Sequence, residues 1–448
     1  MTFRKYLLHV RPNFLLAYPV MLSMLGQVMT GVADSVMVGW TGATPLAASS
    51  FANVFFSIPL FFGVGVSYAI TPLVAQADGA NDQNGISETL RNGSLINFLT
   101  GVILVMLIFS VEPFMHSMGQ PKDVVELAIP YLSIVAISII PTMIFQTYRQ
   151  FAEGLQRTRM AMIIVIGSNV LNIFLNYLLI FGKWGFPEMG LNGAGWATLI
   201  SRTIMAISMM MYVYYGRRFL SYKAGFSIGN YSKTFISKLL HIGLPAGSQF
   251  IFEAAAFGFS AIMMGWIGTT ALAAHQIAIN LATISYMTTS GLGAAAAIRV
   301  GNFFGQQDRI NLRTSAFAMI WMAIFVMTLW ALLFVLGRTA LPALYIDNQS
   351  VIEMTSMLLI FAAFFQLSDG IQVVTAGALR GLQDVKIPSL LIFIAYWVIA
   401  LPLGYWLAFP MQMGAKGIWI GLSIGLTLSA VAMVVRFEGL SKSQKVLA

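Results

Sequence analysis

The sequence contains no cysteine and only four histidines, and Asp, Glu, Lys and Arg together make up 9% of its 448 residues, against about 25% in an ordinary soluble domain. The missing cysteine excludes disulfides and thiol chemistry without naming a compartment. No Walker A phosphate loop, metal-ligand spacing or nucleophile motif is found, so neither an ATP-driven pump within this chain nor a membrane-embedded enzyme has support. The basic N-terminal stretch is not followed by a small-residue cleavage site, and the first apolar helix is expected to be retained.

What the sequence has in quantity is apolar surface. Hydrophobic residues make up 58% of the chain, more than a buried core can absorb, so most of that surface must face lipid. Segments of about twenty apolar residues are long enough to cross a hydrocarbon core of about 30 Å. Twelve can be placed, near 14–38, 47–73, 93–111, 124–148, 160–182, 191–215, 237–265, 271–298, 314–337, 350–378, 387–409 and 414–435. The expected class is therefore an all-α polytopic membrane protein of twelve transmembrane helices. A net charge of +9 would fit nucleic-acid binding in a soluble protein. Here the basic residues divide by side instead: twenty, from Arg4 to Lys445, fall on one face of the twelve-span layout. Four (Lys122, Lys183, Arg338 and Lys416) fall on the other, and Arg202 lies within a span. The positive-inside rule then puts both termini in the cytoplasm, and the charge needs no nucleic acid.

The chain also repeats itself. Sliding residues 19–82 by 226 positions gives sixteen identities in 64 without a gap, including Pro19/Pro245, Gly42/Gly268, Gly65/Gly291 and Asp82/Asp308. Gly154-Leu155-Gln156 matches Gly381-Leu382-Gln383 at nearly the same offset. Two lobes of six spans follow, 1–215 and 237–448, joined by a basic cytoplasmic linker at 216–236. Six is even, so both lobes enter the membrane from the same side. This is a parallel duplication about an axis along the membrane normal, as in transporters whose site lies between two halves.

Departures from the repeat are informative. Asp34 aligns with Ser260, and Glu253 with Gln27, so each lobe carries one acid in its first span. Asp369, in span ten, faces Thr142 in the repeat frame. These three are read as the deep acids. Intramembrane carboxylates normally mark ion or substrate paths, and their excess over the single intramembrane base Arg202 favours lipophilic cations over anions. In span five, Asn172 and Asn176 share a helix face, where their carbonyls can join a hard-cation site or simply bond between helices. Pro19 and Pro245 each remove a backbone donor near the start of a lobe's first helix and are candidate hinges. His275 is expected to cap or pack near the end of span eight. The 27 Met and 33 Phe single out no stripe.

At these residues the chain resembles the multidrug and toxic compound extrusion (MATE) family, and within it the NorM-like bacterial branch. The resemblance covers nearly the whole chain. It rests on Val32-Ala33-Asp34-Ser35, on Leu272-Ala273-Ala274-His275-Gln276, and on Gly377-Ala378-Leu379-Arg380-Gly381-Leu382-Gln383-Asp384, with Glu253 and Asp369 matching the acids of the C-lobe. It implies two six-helix bundles around a central cleft and alternating access. It also implies export of amphipathic, often cationic drugs, in exchange for inward Na⁺ or H⁺, across the bacterial inner membrane. Coupling roles are implied for Asp34, Asn172 and Asn176 in one lobe and for Glu253 and Asp369 in the other, where the two acids would hold Na⁺ if sodium is the driver. No cofactor beyond the transported ion, no partner beyond small-molecule drugs and membrane lipids, and function as a monomer are expected. DinF-like members carry a second acid where this chain has Asn176, so their proton mechanism does not transfer intact. Phe365 stands where some NorM-like relatives have Tyr. The alternatives are a flippase of a lipid-linked precursor from the same wider superfamily, for which several bases facing the cleft would be expected, and an exporter of another family with parallel halves.

Overall fold

A computed structural model describes residues 3–442 of the chain, which leaves Lys445 outside the described residues. Among these, all regular structure is helical. Twelve helices are long and apolar enough to span a bilayer: α1 (Tyr6–Gly39), α2 (Ala43–Gly79), α3 (Gln83–Ser117), α4 (Lys122–Gly154), α5 (Arg159–Phe181), α6 (Gly190–Tyr215), α7 (Lys233–Ile267), α8 (Thr269–Gly305), α9 (Arg309–Leu336), α10 (Gln349–Gly381), α11 (Lys386–Ala408) and α12 (Ala415–Lys442). Helix is the form a lipid-facing segment must take, because only there is every backbone polar group satisfied within the segment. Several helices outrun their apolar stretches, by a turn or more at the ends of α2, α4 and α8. The charged residues in those extra turns are therefore inside helices rather than in loops.

The duplication reappears as local geometry. Asp82 caps α3 by accepting a bond from Gly85 N at 2.9 Å, and its repeat mate Asp308 caps α9 through Asn311 N at 3.0 Å. Gly42 and Gly268 precede α2 and α8 at φ 133° and 150°, a region essentially closed to residues with a Cβ. Asn81 and Gln307 are another repeat pair held at positive φ, and so are Gln156 and Gln383.

By spatial contact the chain forms two units. One is Leu22–Gly247; the other takes in the chain up to Met21 and from Ser248 onward. These units do not coincide with the repeat, because each includes the opening stretch of the other repeat's first helix. The switches fall two residues after Pro19 and Pro245. Close packing at glycines shows the same exchange. A Cβ on Gly65 of α2 would come within 2.6 Å of Gly247 Cα in α7, and a Cβ on its mate Gly291 in α8 would come within 2.7 Å of Met21 N in α1.

In the unit Leu22–Gly247, the linker is docked rather than loose. It contains a 3-10 helix, Arg217–Phe226. Phe226 stacks on Tyr148 at 5.6 Å, Arg91 donates to Ala224 O at 2.7 Å, and Ser232 N donates to Asn92 Oδ1 at 2.9 Å. In the other unit, α11 changes winding in mid-span, with a π-helical stretch at Ile394–Ala400. Such stretches frequently accompany functional sites.

Candidate functional site

Each unit gathers its own buried polar cluster. In the unit Leu22–Gly247 the centre is Asp34 of α1. Its Oδ1 accepts from Asn176 Nδ2 at 2.6 Å and its Oδ2 from Thr198 Oγ1 at 3.4 Å. Asn176 Nδ2 also donates to Asn172 Oδ1 at 3.3 Å. The structure thus brings Asp34, Asn172 and Asn176 together as expected, but corrects the arrangement of the amides. They do not present two open carbonyls, because one carbonyl is taken by its neighbour. The Asn176 oxygen and the Asn172 nitrogen are buried without a hydrogen-bond partner. Asn169 extends the contact down the same helix pair. Its amide donates to Gly26 O at 2.8 Å and its oxygen accepts from Thr30 at 2.5 Å.

Arg202 of α6 stands one turn from Thr198. It donates to Ser138 Oγ at 2.8 Å, at the break in the middle of α4, and its guanidinium lies 5.0 Å from the centre of the Phe56 ring. It is close enough to Asp34 to interact electrostatically. This cluster therefore holds one acid and one base, so the excess of acid over base expected from the sequence does not extend to it.

The second cluster lies in the other unit and has no base. Glu253 of α7 and Asp369 of α10 are 8% and 4% exposed, and they are close enough to interact electrostatically. Among the described residues neither is in an ion pair. Gln372 Nε2 and Tyr396 Oη donate to Glu253 Oε1 at 3.4 and 3.5 Å. Around them Gln372 Oε1, Thr375 Oγ1 and both amide atoms of Gln366 are buried without a hydrogen-bond partner. Two buried carboxylates with uncommitted side-chain oxygens on the same helix as Asp369 have the composition that a desolvated proton or hard cation requires.

Sequence reasoning missed part of this cluster. Asp369 and Gln372 lie one turn apart on α10, a pairing that helical periodicity could have exposed. Tyr396 had no such signal, because its position depends on the π-helical stretch. It brings a phenol to Glu253. Phe365 packs edge-on against Phe257 and Trp419, each at 6.0 Å. His275 packs as expected, 5.7 Å from Trp419 and 3.4 Å from the Ser260 hydroxyl. Another pair corrects the reading that only three acids are deep and that Arg202 is the only base inside a span. Arg149 and Glu153 are joined at 2.7 Å near the end of α4, with side chains 0% and 2% exposed. The apolar run stops before them but the helix does not.

Comparison with known proteins places these clusters in a family. The MatE profile matches residues 19–178 and, separately, 245–406, once in each repeat. The chain is 34% identical over 441 residues to the multidrug resistance protein NorM of Photobacterium profundum, covering 97% of this chain and 96% of that one. It is 34% identical over 435 residues to the probable multidrug resistance protein NorM of Rhizobium meliloti, covering 96% and 93%. Its fold matches the crystal structure of the eukaryotic MATE transporter AtDTX14 with a TM-score of 0.87 at 19% identity, covering 96% of both chains. It matches a MATE protein in the bent conformation with a TM-score of 0.89 at 19% identity, covering 99% of both.

Proposed function

The chain belongs to the MatE family, and from that premise we propose that it is a secondary active multidrug efflux antiporter. It exports amphipathic, often cationic organic compounds in exchange for inward Na⁺ or H⁺, by alternating access. The observation that carries this reading is the buried Glu253–Asp369 pair, with its uncommitted oxygens and no base. Such a site is stable only when a positive charge is present, so it loads from the side where the cation is abundant and must be emptied on the other. Gln372 and Tyr396 hold the Glu253 carboxylate in place. Asp34, with Asn172 and Asn176, forms the second polar site. Pro19 and Pro245, each two residues before a switch between units, serve as the hinges.

The basic-residue asymmetry supports cytoplasmic termini; the proposal further takes the protein to work in the inner membrane, among lipids, as a monomer. Dye efflux from vesicles, with Na⁺ and pH gradients imposed separately, tests the function. Efflux driven by one gradient and abolished by its collapse is expected. Efflux indifferent to both would overturn antiport.

A further inference from the structure

Arg202 has no part in the scheme above, and its surroundings are not those of a simple counter-ion. A guanidinium inside a span is costly and normally faces a cavity or a charged partner. Arg202 and Thr198 share the α6 face opposite the exposed stripe of Trp196, Ile200, Ile204 and Ile207, so it points into the unit and away from lipid. Its charged neighbour there is Asp34, yet among the described residues no ion pair joins them. Asp34 takes its hydrogen bonds from Asn176 and Thr198 instead. Ser138 and the Phe56 ring hold Arg202 apart from it.

Two opposite charges placed to neutralise each other inside a membrane would be in contact, because each is desolvated and gains most at hydrogen-bond distance. Here they are neighbours without contact. Arg202 is half-buried, and Ser138 takes one of the five N–H donors a guanidinium carries. The other donors are neither hydrogen-bonded nor sealed from the surface.

We infer that Arg202 is a substrate-specificity residue. Its uncommitted guanidinium edge receives the carboxylate of a zwitterionic amphipathic compound whose cationic group is drawn to Asp34. The inference rests on the efflux reading and deepens it. A site with one acid and one base suits a molecule carrying both charges, whereas the Glu253–Asp369 cluster suits a bare cation.

The test uses the full-length protein in proteoliposomes and two rhodamine dyes of one scaffold: the methyl ester, a fixed cation, and the free acid, a zwitterion. Arg202→Gln is expected to lower the zwitterion-to-cation ratio of kcat/KM roughly tenfold or more, the usual weight of a charge-assisted hydrogen bond. Arg202→Lys keeps the charge but loses the planar fork, and lowers the ratio by less. Should the glutamine variant fail to fold, the lysine variant decides. An unchanged ratio, whether efflux of both dyes is normal or reduced in proportion, makes Arg202 a counter-ion and overturns the inference. So does a wild type that exports the ester but not the free acid. A wild type that exports neither dye under either gradient instead defeats the efflux reading itself.

Discussion

Two side-chain environments matter most at the scale of single residues. Glu253 and Asp369 share one buried cluster without a base, and under the proposed function that cluster is where a cation gradient would be converted into work. Glu253→Gln and Asp369→Asn keep shape and hydrogen-bonding capacity, so thermal stability should remain near wild type. Gradient-driven efflux should fall roughly 5- to 150-fold, the usual span of a coupling free energy. Efflux assayed on protein matched for amount and melting temperature checks this; normal pumping by both variants would make the acids structural. Arg149 and Glu153 lead to the opposite expectation. Arg149→Met leaves a carboxylate buried and unpaired, which costs about 3–5 kcal/mol, and Arg149→Met with Glu153→Gln should recover much of that. Thermal unfolding in detergent measures both. A double variant no more stable than the single would mean that the pair is not what holds this end of α4.

At the scale of the element, the repeated turns and caps define each repeat's frame. Gly42 and Gly268 occupy backbone regions that penalise a Cβ, so alanine at either position should destabilise by about 1–3 kcal/mol. Losing the Asp82 or Asp308 cap should cost about 1 kcal/mol. The melting temperatures of the four single variants check both values, and repeat mates should behave alike. These elements were legible in the sequence because the duplication itself flagged them. Helical spacing showed that Asn172 and Asn176 share a face, and only the family resemblance joined Asp34 to them. Tyr396 was not legible, because a π-helical stretch rotates the register that ordinary helical periodicity assumes. Arg149 and Glu153 were misread for a different reason. Hydropathy reports where lipid ends, whereas a helix packed against protein continues past that point. The relation of Arg202 to Asp34 depends on where the α4 helix breaks, at Ser138, a break that Pro141 explains by leaving the Ile137 carbonyl without its helical donor.

At the scale of the whole molecule, duplication gives two polar clusters of unequal charge, one with an acid and a base, the other with two acids. Under the proposed function, that inequality would let one chain recognise a drug and a cation by different means. Orientation is tested most simply in this cysteine-free background. A Lys183→Cys or Lys416→Cys variant should be labelled by impermeant maleimide from outside the cell, and a Lys223→Cys variant only from the cytoplasm. Reversed labelling would invert the topology. The central claim is that the Glu253–Asp369 cluster exchanges a cation for drug, and drug-driven counterflow in sealed proteoliposomes tests it most directly. A drug gradient alone should drive uphill movement of Na⁺ or H⁺ in the wild type, and none in a Glu253→Gln, Asp369→Asn double variant. Uphill cation movement persisting in the double variant would contradict the account.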